Sequence, residues 1–217
     1  MDPREALRRL TPEQLRALRR QTQAIPRQPR DGRVFPVSPQ QQRLWFLERV
    51  GGSSAVYNVP EVVDLVGPLD RPALAWALER VAARHESLRT TFESVDAAVC
   101  QRVHEALPFA LAEDDLSAAD VDPAARAARL EALLASEAAT PFDLARGPLW
   151  RARLVRLAAD HHVLSIVMHH IVCDGWSLAV FARELEALYS ARHRGEPDPL
   201  PPLQVQYPDY AAWLQQR

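Results

Sequence analysis

Apolar positions along this chain follow two rhythms. Where they recur every three to four residues they predict helices, and where they alternate or cluster over a short stretch they predict strands. Ser38-Pro39-Gln40-Gln41 reads as a helix start, with a capping serine, proline at the first helical position and glutamine three residues after the cap. That helix runs through Leu44, Trp45 and Leu47 to Val50 and stops at Gly51-Gly52. A strand is predicted over 56–66, ended by Gly67-Pro68. Asp70 caps a helix carrying Leu74, Leu78 and Val81 on one face, closed by Arg84-His85-Glu86. Strands follow at 88–95 and 99–105, then an acidic loop, Glu113-Asp114-Asp115, and an Asp122-capped helix whose apolar face includes Leu130, Leu133 and Leu134. The turn Pro141-Phe142-Asp143 precedes strands at 149–157 and 163–168, and a helix then passes through Leu178, Phe181, Leu185 and Leu188. The proline-rich segment 197–202 leads to a terminal helix over 207–217. Near the N-terminus, Thr11-Pro12-Glu13-Gln14 is another capping box, and 24–32 read as a linker. Strands and helices are interspersed without regular alternation, which predicts an α/β sandwich with a mixed sheet flanked by helices.

Composition narrows the chemistry. At 217 residues and 47% hydrophobic content the chain can hold one sizeable core with an N-terminal appendage. No apolar run reaches the roughly 18 residues of a membrane span, and no signal-peptide pattern opens the chain, so the expected location is cytoplasmic. Lysine is absent, which removes Schiff-base, Ser-Lys and phosphate-loop lysine chemistry. Cys100 and Cys173 lack metal or disulfide spacing. Residues 1–33 hold nine arginines and four acids, whereas the remainder is acidic, so a basic helical arm (1–33) precedes the body (34–217). Such an arm could dock a partner or simply be a solvated helix. An acidic body without basic-aromatic interleaving gives no support for nucleic-acid binding.

Candidate chemistry gathers where the strand ends in His169-His170 and Asp174-Gly175 opens the next helix. Alternation places His170 with Leu164, Ile166 and Met168, and His169 with Val163 and Val167, so the two rings point opposite ways. His162 and His170 share a face but lie about 26 Å apart along an extended strand at ~3.3 Å per residue. Neither pair suits one metal ion. Gly175 permits close backbone approach to a ligand, and the helix N–H groups could receive an oxyanion. Asp174 could orient His170 or cap the helix, Ser177 reads as a cap because no nucleophile elbow surrounds it, and Cys173 reads as a small buried thiol.

His169-His170-Ile171-Val172-Cys173-Asp174-Gly175, followed by Trp176-Ser177, resembles the His-His-x-x-x-Asp-Gly signature of condensation domains from non-ribosomal peptide synthetases. Three further segments agree in order: 38–47, with Gln40 where a small residue is usual, Arg84-His85-Glu86-Ser87-Leu88-Arg89-Thr90-Thr91-Phe92, and Tyr207-Pro208-Asp209-Tyr210-Ala211-Ala212-Trp213. The resemblance implies a chloramphenicol acetyltransferase-like fold of two lobes. Donor and acceptor peptidyl carrier proteins would deliver phosphopantetheine thioesters into a tunnel between them, and an amine would attack the donor thioester. It implies no directly bound cofactor and no metal. By position, His170 would deprotonate or orient the amine, and Gly175 would bring its backbone near the thioester. Asp174 would be structural, paired with Arg89 or Arg84, with His169, Trp176 and Ser177 in support. Epimerisation relatives lack Gly-Trp-Ser and heterocyclisation relatives replace the histidine pair, so ordinary amide condensation is implied.

Motifs of the C-terminal lobe are absent, and a condensation domain needs about twice this length. The chain is therefore expected to be the N-terminal, donor-side lobe, with little activity alone because one wall cannot hold two reactants at roughly 3–3.5 Å. Two alternatives stand beside it: a non-catalytic docking module that meets an upstream synthetase partner through 1–33, and a coenzyme A-dependent acyltransferase of the same superfamily.

Overall fold

The computed structural model describes residues 25–52, 54–118 and 122–217. The capping box at 11–14 and most of the basic arm lie outside them. Two sheets form. Strands β1 (Phe35–Pro36), β3 (Thr90–Val95) and β4 (Ala98–Val103) make a small antiparallel sheet in the order β1-β4-β3. Strands β2 (Asn58–Val66), β5 (Ala112–Asp115), β6 (Trp150–Ala158) and β7 (His161–His169) make the main sheet, ordered β2-β7-β6-β5. Only the β5–β6 pair is parallel, so the main sheet is mixed, as the interspersed pattern predicts. The small second sheet is additional to that expectation.

Helices α2 (Arg71–Arg84) and α4 (Gly175–His193) cover one face of the main sheet. Leu78 and Val81 of α2, Phe181 and Leu188 of α4, and Trp150, Leu154, Leu164 and Met168 of the sheet share one buried cluster. Helix α3 (Pro123–Ala139) covers the other face, packing Leu130, Leu133 and Leu134 on Val155 and Val163. The alternation along β7 holds: even positions 164–168 feed the first cluster, and Val163 and Val167 feed the opposite side. Truncating one such buried leucine would remove about 2–5 kcal/mol.

Helix starts follow their caps. Ser38 Oγ accepts from Gln41 N at 3.2 Å and Gln41 Oε1 accepts from Ser38 N at 3.0 Å, opening α1 (Pro39–Gly51). Asp70 and Asp122 cap α2 and α3 in the same way through Ala73 N and Ala125 N. A final helix, α5, spans Tyr207–Leu214.

Two segments differ from expectation. The acidic stretch 113–115 is not a loop; it belongs to β5, where Arg153 and Arg156 of β6 pair with Asp114 and Asp115. Ion pairs along parallel neighbours replace the apolar alternation that marks most strands. Residues 86–89 form a 3-10 turn before β3 rather than the start of the strand.

Strand β2 is a sheet edge, bonded to β7 alone among the described strands. Its Val62, Val63 and Val66 are 49%, 46% and 81% exposed, so most of its apolar surface faces outward.

Candidate active site

The turn after β7 is built by its own hydrogen bonds. His169 N donates to Leu149 O at 2.9 Å, His170 N to Tyr57 O at 2.8 Å and Val172 N to His169 O at 3.0 Å. β7 ends at His169, so His170 leaves the ladder and its exposed side chain lines a cleft of about 880 Å³. Met168, Tyr57 and His85 line the same cleft, together with Trp176, which is 79% exposed. The two histidines thus separate as the alternation predicts, with His169 buried and His170 facing the cleft.

His170 Nδ1 lies 2.6 Å from Cys173 O. A carbonyl oxygen only accepts, so Nδ1 carries the proton and Nε2 of the neutral ring keeps its lone pair. That leaves a proton acceptor on the nitrogen remote from the backbone. The ring then needs no carboxylate to set its tautomer.

Asp174 is committed elsewhere. Its Oδ1 accepts from Ser177 N at 2.8 Å while Ser177 Oγ accepts from Asp174 N at 2.6 Å, a reciprocal cap on α4. The Ser177 N–H, then its hydroxyl, hold the Asp174 carboxyl below the usual carboxylate range. The expected ion pair with Arg84 or Arg89 is absent. Arg84 Nε donates to Glu184 Oε2 at 3.0 Å, the oxygen that His85 Nε2 also reaches at 2.6 Å. Arg89 donates to His104 O and lies 3.6 Å from Glu86. Both arginines are therefore engaged elsewhere, and neither pairs with Asp174 at the start of α4. Because Asp174 itself takes the Ser177 N–H, the helix start offers an incoming oxyanion fewer donors than an uncapped end would.

Gly175 sits at the first position of α4, and a Cβ built there would meet nothing within 4 Å beyond its chain neighbours and its own helix backbone. The lobe's own packing leaves that face of the backbone open. Cys173 is buried, its thiol pushed up to about 12 by burial, with Asp174 and Glu61 adding to it, so it is an inert packing group.

The segment 24–32, read from sequence as linker and described from residue 25, contributes Arg30. Its Nη2 reaches Glu86 Oε2 at 2.7 Å and its Nη1 reaches Asp209 Oδ1 at 2.9 Å. Gln206 completes the junction, with its side chain joining Glu86 N and Arg84 O and its N–H donating to Asp209. Segments 84–92 and 207–213 meet through these bonds.

Burial gives the lobe a pH dependence. His169 is pushed below the ordinary imidazole value of 6.5 by burial, against the opposing pull of Glu48. Burial, then Arg156, lowers His162, and burial, then Arg102, lowers His104. Unfolded, these rings take up protons near 6.5; folded, they do so only at lower pH. Their contribution is therefore complete above 6.5 and lost as pH falls through the folded values. Chemical denaturation across this range should show stability declining below about pH 6.5; a flat profile down to pH 5 would contradict the assignment.

Comparison with known proteins bears directly on this arrangement. The sequence profile described as Condensation domain matches residues 32–217. The chain belongs to the condensation-domain family. It is 46% identical over 184 residues to chondramide synthase of Chondromyces crocatus, covering 85% of this chain and 5% of that protein. It is 46% identical over 188 residues to malpibaldin synthetase of Mortierella alpina, covering 85% of this chain and 3% of that protein. Among solved structures, the X-domain in complex with OxyB from teicoplanin biosynthesis superposes with a TM-score of 0.76 at 38% identity, over 89% of this chain and 40% of that one. The starter condensation domain of rhizomide synthetase gives a TM-score of 0.76 at 23% identity, over 85% and 44% of the two chains, and so shows the shared fold. The lobe has the chloramphenicol acetyltransferase-like fold. It spans about two-fifths of the solved domains and a small share of the synthetases. Amide-bond formation by acyl transfer is the family's function, and its domains act on substrates carried by the phosphopantetheine of carrier proteins. Among the described residues no helix is long and apolar enough to cross a membrane.

Sequence reading names His169, His170, Asp174 and Gly175 but passes over Glu48, Tyr57 and Arg30. A signal for Glu48 does exist. It falls seven residues after Gln41, two helical turns along the same face.

Proposed function

We propose that this chain is the donor-side lobe of an amide-forming condensation domain, and that His170 supplies its proton acceptor. The observation that carries this reading is the bond from His170 Nδ1–H to Cys173 O, which leaves Nε2 basic in a cleft of about 880 Å³. The acceptor amine attacks the donor thioester carbonyl; a C–N bond forms, the C–S bond breaks, and the amine proton passes by way of Nε2 to the departing thiolate. Gly175 contributes open backbone beside the reacting carbonyl, and Trp176 an apolar surface at the mouth of the cleft. Asp174 and Ser177 hold the start of α4, Arg84 ties the end of α2 to Glu184 of α4, Arg89 bonds His104 O, and His169 anchors the turn.

Residues 34–217 form the lobe in this reading, with Arg30 and Gln28 of the preceding segment bonded to it, and the basic arm, residues 1–33, is the part that meets an upstream synthetase partner. The lobe supplies one wall and the remainder of the domain the other. Incubated alone with loaded donor and acceptor carrier proteins, the chain is expected to give no dipeptidyl product by mass spectrometry. Product at the rate of an intact domain would show that one lobe suffices and overturn the two-wall reading.

A further inference from the structure

Helix α1 buries only two residues, Gln41 and Glu48, and both are polar. A helix that packs for stability normally buries an apolar stripe. This one packs only the half-buried Leu44 and Trp45 on the apolar cluster around Phe142 and Val167, and turns two buried hydrogen-bonding side chains, seven residues apart, toward the turn that carries His170. Gln41 Nε2 donates to Ile171 O at 3.4 Å. Glu48 Oε1 lies 3.3 Å from His169 Nε2, and both side chains are buried, at 7% and 1% exposure. Glu48 Oε2 also accepts from Ser54 N, so the carboxylate ties three segments together.

The tautomer of His169 follows from its other nitrogen. Ile171 N donates to His169 Nδ1 at 3.1 Å, so Nδ1 is unprotonated and Nε2–H points at Glu48. Phe142 stands edge-on to the imidazole and Tyr57 lies tilted across it, with centroids 6.3 and 6.2 Å away. The His169 carbonyl meanwhile receives Val172 N and the Cys173 thiol. Through its ring and its carbonyl, His169 therefore fixes residues 171, 172 and 173, and it is the carbonyl of Cys173 that takes the His170 Nδ1 proton.

We propose that Glu48 is a positioning residue for His170, acting through the His169 ring to hold the turn that keeps His170 in its Nδ1–H tautomer. The inference deepens the reading of His170 as proton acceptor, but its test requires no turnover, so either can fail without the other. The experiment is long-range proton–nitrogen correlation of the imidazole rings in the ¹⁵N-labelled 217-residue chain, at about pH 8, where an ordinary imidazole is neutral. The wild-type chain is expected to show His169 as the Nε2–H tautomer and His170 as the Nδ1–H tautomer. In Glu48→Ala, and in Glu48→Met, which fills the space without an acceptor, the tautomer ratio of His170 should fall about fivefold or more, the loss of roughly one ordinary hydrogen bond. Glu48→Gln, whose amide oxygen still accepts, should restore the wild-type ratio. An unchanged His170 ratio in either folded apolar variant overturns the proposal. If neither apolar variant folds, the wild-type spectrum decides: His169 as the Nδ1–H tautomer overturns it, and as the Nε2–H tautomer upholds it.

Discussion

Replacing His170 by alanine, in a protein that carries this lobe together with the rest of a condensation domain, is expected to lower amide formation by about a hundred- to ten-thousandfold. That is the usual contribution of a positioned proton-transfer group. The reason lies in geometry. Nδ1 is committed to Cys173 O, so the ring presents Nε2 and nothing else in the turn can take over. Asp174 is engaged in capping and Cys173 is buried with its thiol raised. Stability should hardly move, because the side chain is exposed and its one bond is to a local carbonyl; surface changes of this kind usually stay within about ±0.5 kcal/mol. Single-turnover rates with carrier-bound substrates, measured beside a melting curve, separate the two effects. Near-normal turnover would remove His170 from the chemistry.

The second large effect is structural. Arg30→Ala is expected to destabilise the lobe by about 3–5 kcal/mol, the cost of leaving a buried charge without its partner. Asp209 is completely buried and Glu86 nearly so, and Arg30 bridges them. Burial alone would raise the Asp209 carboxyl, but Arg30 and the N–H groups of Gln28 and Gln206 outweigh it and hold the carboxyl low. Removing the guanidinium leaves buried Asp209 with N–H donors but no cation, and Glu86 with Arg89 alone at 3.6 Å. For a chain of this size the melting temperature should fall by roughly 6–20 °C at about 2–4 °C per kcal/mol. Arg30→Lys should recover only part of that, since an ammonium cannot match the forked contact with Glu86. A shift below about 1 kcal/mol would mean that the junction is held by its backbone bonds alone.

Much of this architecture is legible from residue order. Ser38, Asp70, Asp122 and Asp174 precede helices and cap them, because a short acceptor side chain before a helical run has few other uses. The facing of β7 is legible because both its faces are buried and the alternation never slips. What cannot be read has a common cause. Strand β5 is polar because its neighbour supplies arginines, and no local pattern announces a partner about forty residues away. Arg30 reads as linker because its partners lie 56 and 179 residues further on. The family resemblance pairs Asp174 with an arginine; in the fold those arginines face Glu184, Glu86 and the His104 carbonyl. The His170 site is legible as residue types, but the tautomer needs the Cys173 carbonyl in place.

The border of the main sheet, open among the described residues, has a practical consequence. Nine residues of β2 carry a row of amide donors and acceptors spaced to receive another extended chain, beside outward-facing valines. Pro60 removes one donor from the row, and Glu61 and Asp64 add charge that discourages like strands from meeting. Association of the 217-residue chain is thus expected to depend on this margin. Dilution and low salt are expected to let those carboxylates repel one another and keep the chains apart, whereas crowding or screening is expected to favour strand-to-strand association.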